Sequence, residues 1–253
     1  LRQACAWVIQ ADRNLLQVTA FMTATLNSQF EYPCTLFVMN DIDAHVEAEF
    51  NEWYQTEHVL QRMNLPGFMS ARRYRALGDS QAYMTFYRCK DVAVLEQPAY
   101  QDILVNPTTL TKKMMPHFRN MVRSACDETW SAGSGLGGEA VVIRCAPKPG
   151  QEQAARAYIA QELYSQLAQA NCLVRLALWE ASQNVGAAPS PEEARRGVPD
   201  QRVQWVLFFE TYDLKNCETL LARPATQQAL SQHGLSVQHQ SSYRLISTFD
   251  GQT

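Results

Sequence analysis

The residues best placed to do chemistry lie in one stretch, EFNEWYQTEHVLQRMNLPGFMSARRYRAL, from Glu49 to Leu77. His58 sits there among aromatic residues, where a core would favour leucine. A histidine titrates near neutrality, so it can move a proton or orient an oxygenated ligand. Tyr54 stands one helical turn earlier and shares its face, with Trp53 beside it. Glu57 is adjacent in sequence but points about 100° away, which makes it a poor dyad partner. In the strand that follows, Arg72 and Tyr74 share one face and Arg73 and Arg75 the other. An arginine pair presents a rigid fork of donors to an anion or carbonyl. Tyr83 and Tyr87, on one face of the next strand, can supply hydroxyls, and His117, after Met114-Met115-Pro116, can close a pocket rim. Each residue has a plainer reading: a structural histidine near a Pro-Gly turn, exposed ion pairs, aromatic core, and surface sites for His45, His233 and His239.

These residues need elements to hold them. Thr35 to Asn40 is a β-branched and apolar run that reads as a strand. Asp43 is placed to cap a helix over 44–64, whose stripe is Phe50, Trp53, Tyr54, Glu57, His58 and Gln61. Pro66-Gly67 ends it. Strands over 68–76 and 82–90, a helix over 91–105 interrupted by Pro98, a connection between Pro107 and Pro116, and a strand over 118–129 complete a β-α-β-β-α-β order, the ferredoxin-like unit. The small-residue run 131–138 reads as a linker. The same order then returns: strands over 140–145, 173–181, 203–212 and 237–249, and helices over 151–170 and 214–232 with a break at Pro224. An offset of 105 sets Tyr74 against Trp179, Phe68 against Leu173, Trp53 against Tyr158, Glu57 against Glu162 and His58 against Leu163. The second hairpin carries an insertion, AAPSPEEARRGVPD, which reads as a mobile surface loop.

The expected organisation is therefore an extension over 1–33, a first unit over 34–130, the linker 131–138, and a second, degenerate unit over 139–253. The fold class is α+β. Each sheet carries helices on one face, and its bare apolar face requires a second sheet. Two antiparallel sheets packed face to face with helices outside, and a polar pocket in the first unit alone, are the expected arrangement.

The pattern F-x-x-W-Y-x-x-E-H at Phe50–His58, followed by P-G-F and A-R-R-Y, resembles the EthD-like branch of the dimeric α+β barrel superfamily. The resemblance covers residues 35–129 well and 138–249 faintly. It implies two sheets paired into a barrel, here as an intramolecular dimer, with homo-oligomerisation beyond that left open. It also implies pockets between helices and sheet, and a range of chemistries: cofactor-free monooxygenation of quinol-like compounds, lactone isomerisation, polyketide cyclisation, haem degradation, or binding alone. A shared fold does not choose among them.

Composition excludes several classes. With 22 basic and 25 acidic residues in 253, the net charge is -3, and no concentrated basic surface for nucleic acid is present. No apolar run reaches the ~18 residues that span a bilayer. The seven cysteines are scattered, with no CxxC pair or Cys/His spacing for zinc, so they read as buried free thiols in a reducing, cytoplasmic setting. The chain starts at Leu1, and CAWVI is too short for the apolar core of a signal peptide. GSGLGG leads from strand to strand and fails as a dinucleotide fingerprint. No G-x-S-x-G or HExxH occurs. A single histidine can ligate haem iron, but nothing specific argues for it, and no cofactor is expected. The expected activity is acid/base chemistry on an aromatic, quinone-like or polyketide-like small molecule. His58 would be the acid/base, and Trp53, Tyr54, Arg72, Tyr74, Tyr83 and His117 would hold the ligand. The alternative is a non-catalytic binding or assembly protein.

Overall fold

Strand β1 (Cys34–Ile42) leads through a short 3-10 turn at Ala44–Val46 into helix α1, residues 47–63. The remaining elements are β2 (Phe68–Ala76), β3 (Tyr83–Cys89), a 3-10 turn at Val92–Glu96, α2 (Pro98–Val105), α3 (Thr109–Met114), β4 (Phe118–Gly133), β5 (Glu139–Pro147), α4 (152–169), β6 (Leu173–Ala181), α5 (Pro191–Arg196), β7 (Trp205–Thr211), α6 (Leu214–Leu221), α7 (Pro224–Gln232) and β8 (Leu235–Asp250). This computed structural model describes residues 34–183, 185 and 189–251. The expected extension 1–33 lies outside the described residues.

The strands form a closed antiparallel barrel in the order β1-β3-β2-β8-β5-β7-β6-β4. The order contains two four-stranded runs, β4-β1-β3-β2 and β8-β5-β7-β6, joined through β2·β8 and β4·β6. The expectation of two sheets face to face is thus refined. Their edges are hydrogen-bonded to each other, made long enough by β4 and β8, which both run 16 residues. Strand β4 continues to Gly133, so the first three residues of the expected linker are strand paired to β6.

Alternation along the strands separates three cores. Inward residues, among them Phe37, Met84, Phe86, Val142, Trp179 and Phe208, fill the barrel. Outward residues of β1 to β4 pack with α1 to α3, and those of β5 to β8 with α4, α6 and α7. Both long helices contain one wide π turn, at Tyr54–His58 in α1 and Ile159–Leu163 in α4, again 105 residues apart. Pro98 and Pro224 do not break helices. Each stands at the first position of a new one, where a missing N–H costs nothing. Gly67 makes the turn from α1 to β2 with φ 89, and a Cβ there would meet Val94 at 2.5 Å.

Three further readings are corrected. Asp43 does not cap α1 with its side chain. Its carboxylate instead takes His117 and Arg119. The connection between Pro107 and Pro116 holds a helix, α3, capped by the Thr108 hydroxyl. The insertion is no mobile loop throughout: Ser190 caps α5, Pro191 opens it, Arg195 and Arg196 lie in its last turn, and Gly197 ends it at φ 71. Those are all the local signals of a helix, and Glu192, Glu193 and Asp200 are buried. The described cysteines are free and buried. Among the described residues, no helix is long and apolar enough to cross a membrane.

Charge is also buried inside the barrel. Glu128 on β4 accepts from Arg88 on β3, from Arg175 on β6 at 2.5 Å and from the Trp179 indole at 2.9 Å. Burial pushes its carboxyl pKa up, but the two arginines outweigh this and hold it below the usual range. Removing one partner of a buried ion pair costs about 3–5 kcal/mol. Glu128→Ala should therefore lower the unfolding free energy in urea by about that amount. A loss below about 1 kcal/mol would show that the cluster does not hold β4 to β3 and β6.

Candidate active site

His58 lies between α1 and the sheet of β1 to β4 and is 6% exposed. The π turn decides its neighbours. In a regular α-helix, i+4 stacks on i. The extra residue in the wide turn lets His58 meet both Tyr54, four residues back, and Trp53, five back. Their ring centroids are 4.7 Å and 4.4 Å from the imidazole. Glu57 points elsewhere, accepting from the Trp53 indole at 3.1 Å and from the Thr108 hydroxyl at 2.5 Å.

Arg62, one turn after His58, directs Nη1 to both the His58 carbonyl at 3.0 Å and Nδ1 at 3.3 Å. A guanidinium can only donate. Nδ1 is therefore the acceptor, and the neutral ring carries its proton on Nε2. Neutrality follows from the surroundings. Burial, then the charges of Arg62, Arg73 and Arg196, depress the His58 pKa well below its ordinary value. The other nitrogen of the Arg62 fork, Nη2, donates to Glu192 of α5 at 3.1 Å. Both side chains of that pair are nearly inaccessible, and Glu192 holds Arg62 charged against the cost of burial.

A small cavity of about 20 Å³ adjoins the imidazole, lined by Tyr54, Arg62, Tyr87, Tyr100, Arg123, Glu192 and Arg196 beside apolar Leu36, Val38, Met115, Phe118 and Met121. That is room for about one water, far below the few hundred Å³ of a ligand pocket. A haem macrocycle has no room beside His58 in this arrangement. The reason is α5, whose Glu192 and Arg196 reach into the space from the insertion. Phe118, Met121 and Arg196 also line a hollow of about 300 Å³ between the start of β4 and the segment that follows α5. A larger hollow of about 540 Å³ opens near α4, beside Glu152, Arg156, Glu180 and Trp205. There the charges satisfy each other, since Arg156 binds both oxygens of Glu180 at 2.8 and 2.6 Å. Around Leu163 itself the space between helix and sheet is packed with apolar residues such as Ile159, Leu167, Leu178 and Phe209.

Of the expected site residues, the structure brings Trp53 and Tyr54 to His58. Arg72 and Tyr74 stand on the inward face of β2, in the barrel, with Arg72 bonded to Glu210 at 2.6 Å. Alternation puts Arg73 on the helix side instead, 4.4 Å over the Tyr54 ring and 5.0 Å over Tyr83. Tyr83 lies near the start of α1, bonded to Asn51, Arg75 and Glu47. His117 bonds Asp43 at 3.0 Å and meets His45 edge-on, away from the cavity. Sequence reasoning named Arg73 only as one of two possible strand faces, and missed Arg62, Tyr100, Arg123, Glu192 and Arg196. Arg62 carried a usable signal, a cation at i+4 from His58 on the same helix. Nothing local marks Arg123, Glu192 or Arg196 as belonging here. Among the described residues, no group of three or more His, Cys, Asp or Glu side chains could hold a metal ion.

No protein-family model matches the sequence, and no curated protein matches it. Solved structures do. An anthrone oxidase-like protein superposes with a TM-score of 0.63 at 11% identity, covering 87% of this chain and 93% of that one. A provisionally named monooxygenase from Fusobacterium nucleatum gives 0.56 at 9%, covering 88% and 96%. The chlorite dismutase of Candidatus Nitrospira defluvii, in complex with imidazole, gives 0.54 at 14%, covering 85% and 90%. At these identities the likeness is one of fold alone.

The buried histidine predicts a pH dependence of stability. In the unfolded chain His58 takes a proton near pH 6.5, while in the folded chain it stays neutral to much lower pH. Below pH 6.5 the unfolded state binds more protons, so stability falls as pH falls and is unaffected above. The unfolding free energy of the parent in urea should decline from pH 7 to pH 5 more steeply than that of His58→Leu, by up to about 1.4 kcal/mol per pH unit. Parallel curves would mean that His58 is protonated in the fold.

Proposed function

We propose that the chain is a cofactor-independent small-molecule enzyme that acts on an aromatic, quinone-like or polyketide-like compound in the space beside His58. The observation that carries this reading is the concentration of donors around one neutral imidazole: Arg62, Arg123 and Arg196, the phenols of Tyr54, Tyr87 and Tyr100, and His58 Nε2–H. Such a site stabilises an enolate or phenolate as it forms. His58 then donates a hydrogen bond and is not the general base, because Nδ1 is engaged by Arg62. Trp53 and Tyr54 wall the imidazole, and Arg73 adds charge from behind Tyr54. Cyclisation, isomerisation and monooxygenation all pass through such an anion. The names of the anthrone oxidase-like and monooxygenase neighbours support this class in general terms.

On this reading the chain is a tandem of two ferredoxin-like units, 34–130 and 139–253, closing an intramolecular barrel of the EthD-like kind. Support comes from the two strand runs of identical order and from the π turns at equal offset. The second unit, with Leu163 where the first has His58, is the apolar copy.

A second reading, a binding protein without catalysis, is favoured by one observation: the cavity holds about 20 Å³. Thermal shift and turnover assays with anthrones and naphthoquinols separate the two. If the enzyme reading holds, His58→Leu loses turnover by about 10²-fold or more, and His58→Gln, which keeps an N–H donor, loses less. The melting temperature of His58→Leu should stay equal or rise, since a buried polar group is replaced by a packed apolar one. Ligand binding without turnover in the parent would favour the second reading. Unfolding of His58→Leu would make the histidine structural and end the first.

A further inference from the structure

The groups around the cavity are unevenly matched. Three guanidiniums line it, and the one carboxylate lining it is Glu192. Arg196 has its own partner in Asp200, at 2.6 Å. Arg123 gives one N–H to Tyr100 at 3.0 Å and, among the described residues, has no carboxylate at ion-pair distance. Nε of Arg73 and Nε of Arg196 are buried without a hydrogen-bond partner among the described residues. Among the residues lining the cavity, negative charge is therefore supplied by Glu192 alone, with Asp200 behind Arg196, and Glu192 arrives from a short helix 130 residues further along the chain. The other walls are aromatic and aliphatic: the rings of Tyr54, Tyr87, Tyr100 and Phe118 with Leu36, Met115 and Met121.

The partition between this cavity and the outside is thin. Arg196, with Phe118 and Met121, belongs both to the cavity and to the hollow of about 300 Å³ beside the end of α5, where Val198 and Pro199 add apolar surface. A hollow of that size holds a fused-ring body. A planar carboxylate matches the arginine fork as well as a glutamate side chain does. Burying a carboxylate against Arg62 adds little net stability compared with apolar packing, so the pair has no evident advantage as a structural staple.

Resting on the reading that this cavity is the ligand site, we propose that its ligand is an aromatic carboxylate, whose carboxylate replaces that of Glu192 on Arg62. Glu192 is the chain's own stand-in for the ligand anion and keeps Arg62 paired while no ligand is bound. The aromatic body lies toward Phe118 and Met121, and the carboxylate faces Arg62 with Arg123 and Arg196 nearby.

The test uses 2-naphthoate, its neutral amide 2-naphthamide and neutral 2-naphthol, by isothermal titration calorimetry on the full chain. Glu192→Gln keeps the size of the side chain and removes its charge. It should bind 2-naphthoate about tenfold or more tightly than the parent, with the amide unchanged, and added 2-naphthoate should restore its lowered melting temperature. Adding Arg62→Met to Glu192→Gln should abolish the gain. If Glu192→Gln does not fold, Glu192→Asp, which retracts the charge by one methylene, should show a smaller gain in the same direction. Equal 2-naphthoate affinity in parent and variant, or an equal gain for the amide, overturns the proposal. Binding of 2-naphthol to the parent with no carboxylate preference in the variant overturns this inference alone. Failure of all three probes to bind either protein overturns the pocket reading with it.

Discussion

Closure of the sheet is the constraint from which the rest of this structure follows. Each four-stranded run would by itself leave two edges of unpaired N–H and C=O groups and one bare apolar face. Pairing β2 with β8 and β4 with β6 removes all four edges at once. It also turns both bare faces inward, where Phe37, Phe86, Trp179 and Phe208 meet ring to ring, as in the 4.8 Å stack of Trp179 on Phe208. With that face used, the outward side chains are left to the helices. Two separate outer cores result, and one of them can change character without disturbing the barrel.

The barrel tolerates charge because the charges come as matched sets. Glu128 serves Arg88 and Arg175, and Glu210 serves Arg72. Burial raises the Glu210 pKa, with Arg72 and Arg175 opposing it. Its Oε2 and the hydroxyl of neighbouring Tyr74 lack a partner among the described residues. Each of these groups sits at the inward parity of its strand, so the charges tie strands from both four-stranded runs together. The outer site at His58 differs in where its carboxylate comes from: three guanidiniums line the cavity, and the one carboxylate lining it, Glu192, reaches them from the inserted helix α5.

How much was legible beforehand depends on how local the cause is. The individual strands and long helices came through because β-branched runs, Pro-Gly turns and helical stripes are written within ten or twenty residues of sequence. The face parity of β2 was legible too: Arg72 and Tyr74 were separated correctly from Arg73 and Arg75. Which parity faces the helix was not, because that depends on the barrel closing behind it. The π turn at Tyr54–His58 has no local signature, yet it brings Trp53 and Tyr54 together on His58. Helix α5 shows a different failure. Ser190, Pro191, the acidic first turn and Gly197 spell a helix, but proline and charge content alone gave the reading of a mobile loop. Its seat against Arg62 is a contact across 130 residues, beyond any window of sequence.

The two outer cores share one scaffold and differ at the position that matters most. Leu163, fully buried, stands at the offset of His58 on a helix with the same wide turn. An apolar side chain there packs without further requirements, whereas an imidazole needs partners for both ring nitrogens and loses its charge on burial. Keeping His58 commits the β1 to β4 half of the barrel to Arg62, whose own charge then needs a carboxylate. The β1 to β4 half supplies none at that point, since Glu57 is held by Trp53 and Thr108. Glu192 from the other half meets the need. The insertion in the second hairpin and the histidine in the first helix are thus two ends of one electrostatic requirement, and neither is intelligible from its own half of the chain.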